Sequence, residues 1–91
     1  MERIVTVVPK AGLHARPASR FVETANSFDA DVQLGRAEDD GLVSAASMLA
    51  VTGLNVSHGE DVRLVADGDD AESALDALEE VLSTPESDDE E

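Results

Sequence analysis

Cysteine, tryptophan and tyrosine are absent from these 91 residues, and the only aromatic side chains are Phe21 and Phe28. Without cysteine there is no disulfide and no thiol chemistry, which fits a reducing compartment. With 42% apolar residues, many of them Ala and Val, a single small core is expected; a chain of this length buries a modest share of its surface and is marginally stable. Basic residues are equally scarce. Six Lys and Arg, with Lys10 the sole lysine, face twenty-one Asp and Glu for a net charge of −15. Such a surface repels nucleic-acid phosphates and anionic membranes, so neither is an expected partner. No apolar run is long enough to span a membrane and no signal-peptide layout is present, so a cytoplasmic location is expected. The acidity points to a salty cytoplasm, where about 1 M ionic strength cuts the reach of charge repulsion to roughly 3 Å.

The elements follow from periodicity. Residues 2–8 carry Ile4, Val5, Thr6, Val7 and Val8 and read as a strand, followed by a loop over 9–15 with Pro9 and Gly12. Ala18, Phe21, Val22 and Ala25 then fall on one helical face from Pro17 to about Ser27, with Phe28 turned to the core. Val32 and Leu34 alternate with Asp31 and Gln33 as a half-buried strand, and a turn over 37–41 returns the chain through Leu42, Val43 and Ser44. Ser47 is suited to cap a short helix ending near Val51 or Thr52. A last strand alternates Val62, Leu64 and Ala66 with Asp61, Arg63 and Val65. The final helix carries the apolar stripe Ala71, Ala74, Leu75, Leu78, Val81 and Leu82, with Asp69 or Asp70 as its cap and Glu72 completing a capping box from Asp69. The order, strand–helix–strand–strand–helix–strand–helix, predicts an α+β fold with helices on one face of an antiparallel sheet. Residues 1–83 form the domain, and 84–91 are read as an acidic, disordered tail.

Chemistry concentrates in Gly12-Leu13-His14-Ala15-Arg16-Pro17-Ala18. Pro17 marks a helix start, because the first turn leaves its N–H groups unpaired and proline has none to lose. That puts His14 just before a helix N-terminus and Arg16 in its first turn. Such a terminus offers free N–H donors, Ala15 among them, and a partial positive charge that favours an anion. Imidazole is a nucleophile near neutral pH. The combination reads as a phosphoryl group carried on His14 and held by Arg16 and backbone amides. Elsewhere the signals are weak: His58 sits in a Gly-flanked turn and reads as surface, and the acids at 67–70 lack the alternating spacing of a calcium loop. No zinc spacing, Gly-rich phosphate loop or nucleophile elbow occurs, and no metal or cofactor is expected.

The same string, with Phe21-Val22 behind it, resembles the active-site signature of HPr, the histidine-containing phosphocarrier of the phosphoenolpyruvate-dependent sugar phosphotransferase system. A second block, Val43-Ser44-Ala45-Ala46-Ser47-Met48-Leu49 with Leu54 and Gly59, resembles the family's serine-containing segment at the matching distance. The resemblance implies an open-faced β-sandwich of order βαββαβα, with a four-stranded sheet covered on one face by three helices. It implies a monomeric covalent relay rather than a full enzyme: phosphorylated enzyme I as donor, an enzyme IIA-type domain as acceptor, and Nδ1 as the family's phosphorylated nitrogen. By resemblance, Met48 and Leu49 join the apolar patch that docks enzyme I, with core packing as the alternative; Arg20, one turn after Arg16, reads either as meeting an acidic partner surface or as a solvated helix position. Ser47 matches a serine phosphorylated by a regulatory kinase in some bacteria, but Ala45-Ala46 precede it where regulated members carry a basic residue, so a helix cap is favoured. Glu23 and Asn26 stand where several members have basic residues, which implies a co-adapted partner set. Two alternatives stay open: a regulatory docking module of the same fold, and a carrier serving dihydroxyacetone phosphorylation or nitrogen regulation.

Overall fold

Alternating Val and Leu on the strands and single apolar stripes on the helices leave one economical solution, a sheet with one face covered by helices. The computed structural model, which describes residues 1–85, has that form. Its elements are β1 (Glu2–Thr6), α1 (Ala15–Asn26), β2 (Asp31–Arg36), β3 (Val43–Ser44), α2 (Met48–Gly53), β4 (Asp61–Asp67) and α3 (Ala71–Ser83). The sheet runs β1-β4-β2-β3 and every pairing is antiparallel. Opposite β4, Val5 meets Val62 on one side and Leu34 meets Leu64 on the other, so the inward residues of the three long strands fall in register.

The helices close over that face. Phe21, the largest fully buried side chain, sits between Pro17, Ala18 and Ala25 on the α1 stripe, while Ala74, Leu75, Leu78 and Leu82 line α3. Among the described residues no polar or charged residue is buried in the core. Arg3 also faces α3, donating to Asp76 Oδ1 at 2.7 Å and Glu79 Oε1 at 2.8 Å; the hydrogen bond to Asp76, then that to Glu79, pushes the guanidinium pKa up. The opposite sheet face is open and carries the exposed Ile4. Among the described residues no helix is long and apolar enough to cross a membrane.

Four expectations need correction. The ladder of β1 stops at Thr6: Val7 N–H still reaches Glu60 O at 2.9 Å, but Val8 N–H turns away to Leu82 O at 2.8 Å, at the end of α3. The return strand β3 is only Val43–Ser44, without Leu42. Helix α1 opens at Ala15, two residues before Pro17, because the whole first turn lacks N–H acceptors and proline is accepted at any of its positions. The start of α3 is different in kind. Its N-cap is Asp70, yet that carboxylate makes no cap bond; its oxygens accept instead from Asp29 N–H at 2.9 Å and Ala30 N–H at 2.8 Å, tying α3 to the start of β2. No capping box from Asp69 forms. Of the tail expected over 84–91, Thr84 is the C-cap of α3, its Oγ1–H donating to Glu80 O at 2.7 Å, and residues 86–91 lie outside the described residues.

Candidate functional site

Leaving β1, the chain turns at Pro9, whose carbonyl accepts from Gly12 N–H at 2.9 Å. Gly12 has φ 74, in the left-handed region, and its Cα faces the backbone of Val56 and Ser57 so closely that a Cβ would collide with both. Leu13 is fully buried and donates its N–H to Val56 O at 3.0 Å. These two residues anchor the approach, and the next side chain, His14, emerges half-exposed.

His14 is the N-cap of α1, with extended backbone (φ −136, ψ 166), and its imidazole makes no capping hydrogen bond. The ring is therefore not consumed by the helix. Its own carbonyl opens the helical ladder by accepting from Ala18 N–H at 3.4 Å. Ala15 has φ 53, a left-handed conformation that costs a non-glycine residue about 1–2 kcal/mol. The N–H groups of Ala15 and Arg16 have no acceptor among the described residues, and Pro17 contributes none, so the mouth of α1 is open to an anion.

Cations gather at the same end. Arg16 and Arg20 are exposed one turn apart on α1, and Lys10 is exposed in the preceding turn. None of the three pairs with a carboxylate among the described residues, whereas Arg3, Arg36 and Arg63 do. Packed against α1 is α2, which presents Met48 at 39% and Leu49 at 85% exposure. Ser47 Oγ accepts from Ala50 N–H at 3.2 Å, which is the cap expected from its position. His58 is exposed as expected, but its Nδ1 lies 2.7 Å from Val8 O, a tether to the turn leading into the site. Two contributors carried no sequence signal. Arg36, at the end of β2, and Glu60, before β4, brace the loop beneath Gly12 and Leu13. No cluster of His, Asp and Glu suited to a metal occurs among the described residues.

With the open helix mouth and its histidine established, comparison with known proteins is decisive. The family described as "PTS HPr component phosphorylation site" matches residues 1–84. The chain belongs to the HPr family of phosphotransferase-system phosphocarriers. Among HPr proteins, it is 80% identical to the phosphocarrier protein HPr of Haloferax volcanii over 94% of this chain and 97% of that one. It is 45% identical to the HPr of Streptomyces coelicolor over 90% and 87% of the two chains. Of solved HPr structures, that from Bacillus anthracis superposes with a TM-score of 0.85 at 36% identity, covering 91% of this chain and 96% of the other. The open-faced HPr sandwich expected from the sequence is thus the fold observed.

Proposed function

We propose that His14 is the phosphoryl acceptor of this carrier. A ring nitrogen attacks the phosphorus of the donor, and the new N–P bond replaces the bond to the donor group. Arg16 and the N–H groups of Ala15 and Arg16 then stabilise the added negative charge, while Pro17 keeps the first turn free of a competing donor. The N–P bond stays reactive, so a second protein can take the group onward. The donor is phosphorylated enzyme I and the acceptor an enzyme IIA-type domain, which together supply most of the positioning that the transfer needs. Docking uses Arg20 and the exposed Met48 and Leu49. Ser47 acts as a helix cap rather than a regulatory site, and the relay works in the cytoplasm.

One observation carries this reading: an imidazole at an open helix N-terminus that makes no capping bond, flanked by cations that pair with no carboxylate among the described residues. Incubation with phosphoenolpyruvate and the cognate enzyme I at high salt tests it. Wild type gains the mass of one phosphoryl group, labile to acid and stable to base, and His14→Ala gains none. Arg16→Ala transfers more slowly while its unfolding midpoint stays at the wild-type value, since Arg16 is exposed and outside the core. A wild type that takes no label refutes the carrier reading and favours the docking module.

A further inference from the structure

Residues 54–57 form the shelf on which the approach to His14 rests. Leu13 donates to Val56 O at 3.0 Å, and Gly12 abuts the backbone of Val56 and Ser57. The shelf is irregular backbone between α2 and β4, with Asn55 in the left-handed region at φ 58. Beyond the last turn of α2 it is held by side chains. Arg36 Nη1 donates to Leu54 O at 2.9 Å and to Asn55 O at 3.2 Å, while Nη2 donates to Glu60 Oε2 at 2.9 Å. The other Glu60 oxygen, Oε1, accepts from Ser57 N–H at 2.9 Å. Residues 54, 55 and 57 thus hang from one guanidinium–carboxylate pair. Val56, enclosed between them, is the residue that receives Leu13.

We propose that Arg36 and Glu60 are positioning residues for phosphoryl transfer at His14, acting through residues 54–57 and Gly12-Leu13 to fix where the imidazole stands at the helix mouth. This rests on the carrier reading. The arrangement needs a planar fork: one guanidinium spans two carbonyls and a carboxylate, which a lysine ammonium on a flexible stem does not reproduce. Transfer of a phosphoryl group depends on placement, and a displacement of about 1 Å is enough to slow such a step on the order of a hundredfold. The hydrogen bonds themselves sit partly in water and make a modest contribution to stability, so loss of Arg36 acts on geometry more than on folding.

The experiment compares wild type with Arg36→Met, Arg36→Lys and Glu60→Gln, and with Arg3→Met as a control that breaks an ion pair with α3, away from the shelf. Transfer from phosphorylated enzyme I is measured at high salt against carrier concentration, and amide hydrogen exchange at Leu13 is followed in the same samples. Arg36→Met lowers kcat by roughly tenfold or more with KM close to wild type, and Leu13 exchanges at least about tenfold faster. Arg36→Lys and Glu60→Gln fall between it and wild type, and Arg3→Met keeps the wild-type kcat. An Arg36→Met protein with wild-type kcat overturns the proposal, as does an equal loss in Arg3→Met, which would mean general loosening. If wild type takes no label the carrier reading fails first; unchanged Leu13 exchange in Arg36→Met then removes the shelf as well.

Discussion

Gly12→Ala offers the sharpest test of how the site is built, because Gly59→Ala supplies its control. Both glycines are left-handed, at φ 74 and φ 89, so each alanine meets the same conformational penalty, about 1–2 kcal/mol. Each also gains about 0.4–1 kcal/mol from a less flexible unfolded chain. The surroundings separate them. Nothing lies within 4 Å of a Cβ at Gly59, whereas at Gly12 the Cβ meets Val56 O and stands 2.9 Å from Ser57 Cα. Both are backbone atoms, and no side-chain rotation relieves the clash. The shelf must move, which costs about 1–3 kcal/mol as overpacking and about 1 kcal/mol for the Leu13–Val56 hydrogen bond. Gly59→Ala therefore loses about 1 kcal/mol and Gly12→Ala about 3–4 kcal/mol. For a domain of this size the second figure lowers Tm by roughly 15–20 °C. With no Trp or Tyr, far-UV circular dichroism is the suitable signal, followed through urea and thermal unfolding in concentrated salt. The folded fraction of Gly12→Ala should also transfer phosphoryl groups poorly, since His14 follows two residues behind the clash. Should the two variants unfold within about 0.5 kcal/mol of each other, the close approach of Gly12 to residues 56 and 57 is wrong.

Asp70→Ala removes both acceptors of the Asp29 and Ala30 amides and should cost about 2 kcal/mol, with Asp70→Asn recovering about half through its one carbonyl oxygen; urea midpoints decide it, and equal midpoints for alanine and wild type would show that the staple contributes nothing. The excess of 15 negative charges predicts that Tm climbs as ionic strength rises from about 0.1 M to about 1 M, where the screening length falls from about 10 Å to about 3 Å. A Tm that is flat or falling over that range contradicts a surface adapted to salt.

Much of the fold could be read from residue spacing because each element buries one regular stripe. The α3 stripe of Ala71, Ala74, Leu75, Leu78 and Leu82 and the alternation of Val62, Leu64 and Ala66 leave no competing period. Boundaries were less legible where a long-range bond decides them. Val8 leaves the sheet because Leu82, at the far end of the chain, takes its amide. Asp70 looks like a helix cap in sequence, but two amides at the start of β2 win its carboxylate, a choice that tertiary packing makes and local preference cannot. At the candidate site, the clustering of His14, Ala15, Arg16 and Pro17 at one helix start was legible as one run, since a helix start and its anion-seeking amides are local properties. Arg36 and Glu60 were not. Their link to His14 passes through two hydrogen-bonded layers of backbone from another part of the chain, and neither residue type nor spacing marks it.

The charge pattern shows how an anion can be carried by so acidic a chain. Arg3, Arg36 and Arg63 each face carboxylates and serve the scaffold. Lys10, Arg16 and Arg20 stand in the segment 10–20, which contains no Asp or Glu. All twenty-one Asp and Glu of the sequence fall outside that segment, so no acid is a close neighbour of His14 along the chain. At about 1 M salt the field of either group dies within roughly 3 Å. Long-range steering is then lost for both, and an approaching partner senses charge only on contact. In the proposed relay, recognition under those conditions would fall to short-range features: the direct reach of Arg16 and Arg20, and the apolar surface that Met48 and Leu49 expose. Acidity over the rest of the chain and a cationic rim at His14 are compatible for that reason, since screening silences the first while contact preserves the second.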